Sequence, residues 1–317
     1  VYKRQINNAS NEPISLISQG KSYFNNVISN NGDITLTAGA DAFFNYIEAG
    51  SATIKVDSSG VIEELNNDSE AEFVALSLDL DARNGIGTLD TLEISATTIS
   101  ADNSGTGAIN LLNIPLADTS VTSLSTQTGD INFTQEGLRL LTVNSVVTNI
   151  AGNINILNNG GDLIVDTITA QGRGKDITLA TFVSGDIALG VLTAGDDRII
   201  LTSGGAITDT NGPANNIISA NLIMSSFSGV GVEEPIETTV SNLDATNTDN
   251  AIRIVNHGQL NLIDLNGDGY SVNNLNGKIE ILASSSLNVD SAVSSGTDIT
   301  FEATEDGGDD DHLTVSA

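Results

Sequence analysis

The sequence predicts an all-β chain wound as a parallel β-solenoid with about 22 to 23 residues per turn. Three observations predict it. A short phrase recurs: Gly or a polar residue, a small or polar residue, Ile, then alternating apolar and polar residues. Its central anchors, Ile109, Ile131, Ile154, Ile177 and Ile199, stand 22 or 23 residues apart, and Ile86 precedes them at the same interval. No segment carries the i, i+3, i+4, i+7 apolar stripe of a capped helix. Short strands repeating at this period suit one turn of a coil, because a single turn cannot bury its own apolar face and neighbours must stack.

The elements follow the phrase along the chain. It occurs as Gly32-Asp33-Ile34-Thr35-Leu36, Gly107-Ala108-Ile109-Asn110-Leu111, Gly129-Asp130-Ile131-Asn132-Phe133 and Gly152-Asn153-Ile154-Asn155-Ile156. It continues as Lys175-Asp176-Ile177-Thr178-Leu179, Arg198-Ile199-Ile200-Leu201, Asn250-Ala251-Ile252-Arg253-Ile254, Gly277-Lys278-Ile279-Glu280-Ile281 and Thr297-Asp298-Ile299-Thr300-Phe301. Each begins a period-2 run, the pattern of a strand with one buried face. Shorter strands such as Leu163-Ile164-Val165 lie between them, and Gly, Asn, Asp and Ser gather at the corners, where tight turns are needed. Residues 6–317 then form one continuous solenoid of about 13 to 14 turns, each about 4.8 Å above the last. Residues 1–5, Val1-Tyr2-Lys3-Arg4-Gln5, read as an adaptor-derived scar outside the fold. Loop excursions are expected near 57–85, around the acidic stretch Glu63–Glu70, and near 226–250, around Pro235 and the polar run Asn242–Asn250. Asn144, Asn153 and Asn155 sit where stacked amides could form ladders between turns. A propeller would need a repeat of about 40 residues or more, and a calcium-binding nonapeptide roll would need G-G-x-G-x-D, which is absent.

Charge narrows the function. Lys+Arg number 11 against 41 Asp+Glu, a net charge of −30, which argues against nucleic acid and anionic membrane surfaces as partners. No run of 18 apolar residues is present to insert in a bilayer. Without Cys there are no disulfides, thiolate metal sites or cysteine nucleophiles, and His257 and His312 are the only imidazoles.

Gly185-Asp186-Ile187-Ala188-Leu189, Leu192-Thr193-Ala194-Gly195, Gly205-Ala206-Ile207-Thr208-Asp209 and Asn216-Ile217-Ile218-Ser219-Ala220-Asn221-Leu222 resemble the repeats of filamentous-haemagglutinin-like bacterial surface proteins. The resemblance covers most of residues 30–317. It implies a single-stranded right-handed parallel β-helix, in an adhesive or structural stalk segment that is non-catalytic and extracellular, at the bacterial cell surface. The implied partners are a host or neighbouring-cell surface, or an extracellular polysaccharide.

Two acidic segments are candidate metal sites. Asp264-Leu265-Asn266-Gly267-Asp268-Gly269 matches the first half of a calcium loop, with Asp264, Asn266 and Asp268 as ligands, because alternating oxygen donors before a Gly converge on a hard cation. The twelfth position, which should be Glu, is Leu275. Asp306-Gly307-Gly308-Asp309-Asp310-Asp311-His312 crowds carboxylates that a cation would relieve, with Asp309, Asp310 and Asp311 as candidates. A calcium-stabilised polysaccharide-binding module is therefore the alternative to a stalk, with Ca2+ as the possible cofactor. Asp196-Asp197, Asn247-Thr248-Asp249 and Asn256-His257-Gly258 resemble polygalacturonase motifs, but in the wrong order and spacing. With Trp at 0 and Tyr at 4 for sugar stacking, no enzyme is expected.

Overall fold

The structure, a computed structural model, describes residues 3–304 and 312–316. It is a β-solenoid of about 14 turns of parallel strands, with no helix among the described residues. The chain forms two compact units, the first ending at Leu157 and the second beginning at Asn158.

In the first unit, inward-facing side chains of successive turns stand directly over one another. One row runs Ile14, Ile34, Ile54, Leu78, Ile99, Val121, Val143. A second runs Ala42, Ile62, Ile86, Ile109, Ile131, and a third Val27, Ile47, Phe73, Ile94. All except Ile14 are fully buried. Each buried Ile, Leu, Val or Phe among them contributes roughly 1.5–3 kcal/mol by leaving water. The second unit repeats the plan with Leu163, Ile187, Ile207, Val230, Ile252, Ile279, Ile299 and with Ile177, Ile199, Leu222, Leu243, Leu262, Val289, Val315, the last member of each row being exposed.

The recurring phrase therefore marks two rows in each unit. Ile177 and Ile199 belong to one, Ile252, Ile279 and Ile299 to the other, because every turn restarts the same alternation after more than one corner. Turn length also varies more than the anchors imply. Equivalent residues lie 20 apart at Asp33 and Thr53, and 27 apart at Asn247 and Asn274, where residues 263–269 bulge. Within the two stretches expected to loop out, the longest irregular parts are 65–72 and 227–235. The polar residues Asn242–Asn247 instead end the strand Ile236–Asn247. Their amides are what the strand needs. Asn221, Asn242, Asn261 and Asn288 form an outer ladder, in which the Nδ2 of each of the last three donates to the Oδ1 of the turn before at 2.8–3.1 Å. In the first unit Asn155 donates to Asn132 and Asn132 to Asn110, both at 2.7 Å. Asn144 accepts instead from the Ser120 hydroxyl. The strand Lys3–Asn8 begins inside the segment read as a scar and pairs with Ser22–Ser29.

Candidate functional site

The half calcium loop is closed on itself. The Asp264 carboxylate accepts the Gly267 N–H at 2.6 Å and the Gly269 N–H at 2.9 Å. Asp268 accepts the Tyr270 N–H and Asn266 the Asp268 N–H, each at 2.8 Å. A residue the sequence did not single out anchors the loop from the preceding turn. Buried Asp244 accepts the Leu265 and Asn266 N–H groups at 2.8 and 3.0 Å. Burial raises the Asp244 pKa, and these two donors oppose the rise. Asp264, Asn266 and Asp268 are thus brought together, but as a network of turn hydrogen bonds. Asp309, Asp310 and Asp311 lie outside the described residues. Of the motifs resembling polygalacturonase, Asn247 is buried between turns and bonded to Ser226, the Gly229 N–H and Asn274, so it works as a structural amide.

The strongest convergence of carboxylates lies in the first unit. The strand Ile62–Glu64 carries two buried acids, although a loop excursion is expected around Glu63–Glu70. Glu63 is satisfied: it accepts the Thr88 N–H at 2.9 Å, the Leu89 N–H at 3.1 Å and the Thr88 hydroxyl. Glu64 is not. After it the chain turns at Asn67, whose φ of 53° is in the left-handed region that Asn tolerates. The turn brings the Asp68 N–H to 2.6 Å from Glu64 Oε1, but Glu64 Oε2 is buried with no hydrogen-bond partner. Glu72 enters just before the strand Phe73–Ala82. Carboxylate oxygens of Glu64, Asp68 and Glu72 all lie within 4.8 Å of one another, the only such acid or His/Cys triad among the described residues.

The next turn adds a fourth acid. Glu93, in the strand Leu92–Thr106, donates its N–H to Glu72 Oε2 at 3.0 Å, and its own Oε2 is buried without a partner. Burial, followed by the charges of Glu64 and Glu93, pushes the Glu72 pKa up to about 9. Burial and the Glu64 charge push Glu93 up to about 7, and burial also raises Glu64. None of the ion pairs among the described residues reaches this cluster. What the group can do chemically is share protons or hold a cation, because adjacent carboxylates cannot all stay ionised in a covered site.

Sequence reading missed Glu72 and Glu93. They are 21 residues apart, one turn, so a search for acids repeating at the turn period would have paired them.

No protein-family model, curated protein or solved structure matches this chain.

Proposed function

We propose that this chain is a structural and adhesive stalk segment of a large secreted bacterial surface protein, of the kind built from filamentous-haemagglutinin-like repeats. What supports the reading is how the repeated strand is used. Inward residues fill uninterrupted apolar rows, and outward Asn, Ser and Thr tie each turn to the next, as in Asn221–Asn242–Asn261–Asn288. Such a scaffold suits length and surface rather than chemistry. A net charge of −30 keeps it soluble and discourages lateral association. Its partners are then a host or neighbouring-cell surface or an extracellular polysaccharide, met in the extracellular space, and it catalyses no reaction.

The test is retention of beads coated with the chain on a panel of extracellular polysaccharides and cell surfaces, with new reducing ends assayed in parallel. Retention on at least one surface with no new ends is expected. Release of sugar ends would replace the stalk with an enzyme, and retention on none would remove adhesion.

A further inference from the structure

The four acids of the first unit present a problem that the second unit solves differently. The sequences around them correspond residue for residue, from Glu72 against Asn216 to Asn103 against Asn247, and Glu93 corresponds to Glu237. At Glu72's position Asn216 makes the same backbone contact, accepting the Glu237 N–H at 3.0 Å as Glu72 accepts that of Glu93 at 3.0 Å. Asn216 also supplies a donor. Its Nδ2 lies 2.6 Å from the carboxylate of Asp209, the residue that closes the strand Ile207–Asp209 as Glu64 closes Ile62–Glu64. In the first unit the corresponding group is a third carboxylate, which has no N–H to give.

One oxygen is left over as a result, Glu64 Oε2; a second, Glu93 Oε2, is unpartnered as Glu237 Oε2 is in the second unit. Glu64 and Glu93 are each more than nine-tenths buried, at 9% and 8% exposed, and the Oε2 of each meets no hydrogen-bond donor. Asp68 spends Oδ1 on the Glu70 N–H and Glu72 spends Oε2 on the Glu93 N–H, so each has its other oxygen to offer. An unpaired carboxylate oxygen buried beside other carboxylates is costly unless a positive charge sits between them. We propose that Glu64, Asp68 and Glu72, backed by the neighbouring carboxylate of Glu93, bind a divalent metal ion of the calcium class, tying the excursion 65–72 to the following turn. An all-carboxylate set without nitrogen or sulfur selects a hard cation. Exposed Asp68 leaves one side open to water, which suits the six to eight flexible oxygen ligands of Ca2+ better than the rigid octahedron of Mg2+. The proposal is independent of the stalk reading, and it assigns the cation to residues other than the Asp264 loop.

The test uses the whole chain stripped with EDTA, then titrated with Ca2+ by calorimetry and followed by thermal unfolding. Tb3+ luminescence provides a direct ligand readout. Saturable binding is expected, with unfolding of the first unit delayed by about 5 °C at a hundredfold excess over Kd. Glu72→Asn copies the second unit's own residue and should fold, yet lose affinity by about tenfold or more. Glu93→Gln, nearly isosteric, should do the same. Asp264→Asn should leave binding intact. The proposal is overturned if Ca2+ shifts wild type and E72N equally, if the binding disappears with D264N instead, or if neither Tb3+ nor Ca2+ binds saturably.

Discussion

Residues 85–93 and 229–237 build the same corner twice, one in each unit. Gly87 and Gly231 have φ of 62° and 61°, and a Cβ on either would lie 2.4 or 2.5 Å from the carbonyl oxygen of Asn110 or Arg253. Only Gly fits both the angle and the space. Ile86 and Val230 follow one glycine, Leu92 and Ile236 precede the acid, and all four are fully buried. Glu93 and Glu237 then arrive in the same place, 8% and 9% exposed. With this corner's backbone and apolar frame held in common, the two sites differ in Glu72 against Asn216, in Glu64 against Asp209, and in the connection between them, which is one residue longer in the first unit and carries Asp68. The frame is thus indifferent to the charge it surrounds. The amide gives a site closed by its own hydrogen bonds, apart from Glu237 Oε2, and the carboxylate gives a site that still needs a positive partner.

The swap that breaks this comparison most severely is Asn216→Glu. It removes the donor to Asp209 and adds a buried charge, so the second unit should lose about 3–5 kcal/mol in EDTA, read by urea unfolding. Unchanged stability would show that the amide is not what closes that site. A smaller contrast lies at the end of the correspondence. Asn247 accepts from Ser226 and Gly229 and donates to Asn274 and the Asp249 carbonyl. Asn103 donates to the Gly107 carbonyl, and its Oδ1 is buried without a partner. Asn247→Ala should therefore cost about 3 kcal/mol and Asn103→Ala about 1. Equal losses would mean that the ladder contacts contribute little.

Titration sharpens the comparison further. Glu72 holds its proton to about pH 9 when folded and Glu93 to about 7, against an ordinary 4.5. The folded state then binds protons the unfolded state has already released, so in EDTA the first unit should lose stability steadily as pH rises from about 4.5 to 9 and level off above. Glu72→Asn should flatten the upper part of that slope, measured as unfolding midpoint against pH. Stability that rises through this window would contradict the crowding of these acids. The smallest effect is expected on the outer ladders, where Asn132→Ala and Asn242→Ala should each cost about 0.5–1 kcal/mol in their own units.

Fold and site were not equally legible. The apolar anchors are visible because burial enforces alternation within each strand, and from Ile86 to Ile199 the anchors stay 22 or 23 residues apart. The stacking of Ile109 on Ile131 and of Ile177 on Ile199 is already present in their spacing along the chain. The variable corners escape that arithmetic, since a turn can lengthen at residues 263–269 without moving its strands. The Glu63–Glu70 stretch shows why charge misleads. The acidic run suggests a loop leaving the coil, yet Glu63 finds three donors in the corner above and goes fully inside. The Asp264 loop matches a cation-binding pattern because the same alternation of short polar side chains makes hydrogen-bonded turns.

The Asn ladders give each stack a sense of direction. In every rung of Asn221–Asn242–Asn261–Asn288 and of Asn110–Asn132–Asn155 the amide N–H points toward the earlier turn. Aligned amides polarise one another, so each row acts as a head-to-tail line of dipoles with its positive pole toward the earlier residues. At that pole in the first unit, Asn110 discharges its N–H onto the Gly87 carbonyl at 2.7 Å. The arrangement is electrically vectorial even where it carries no formal charge. Reversing a single amide would set two donors or two acceptors face to face, so the rows resist any stacking error that inverts a turn.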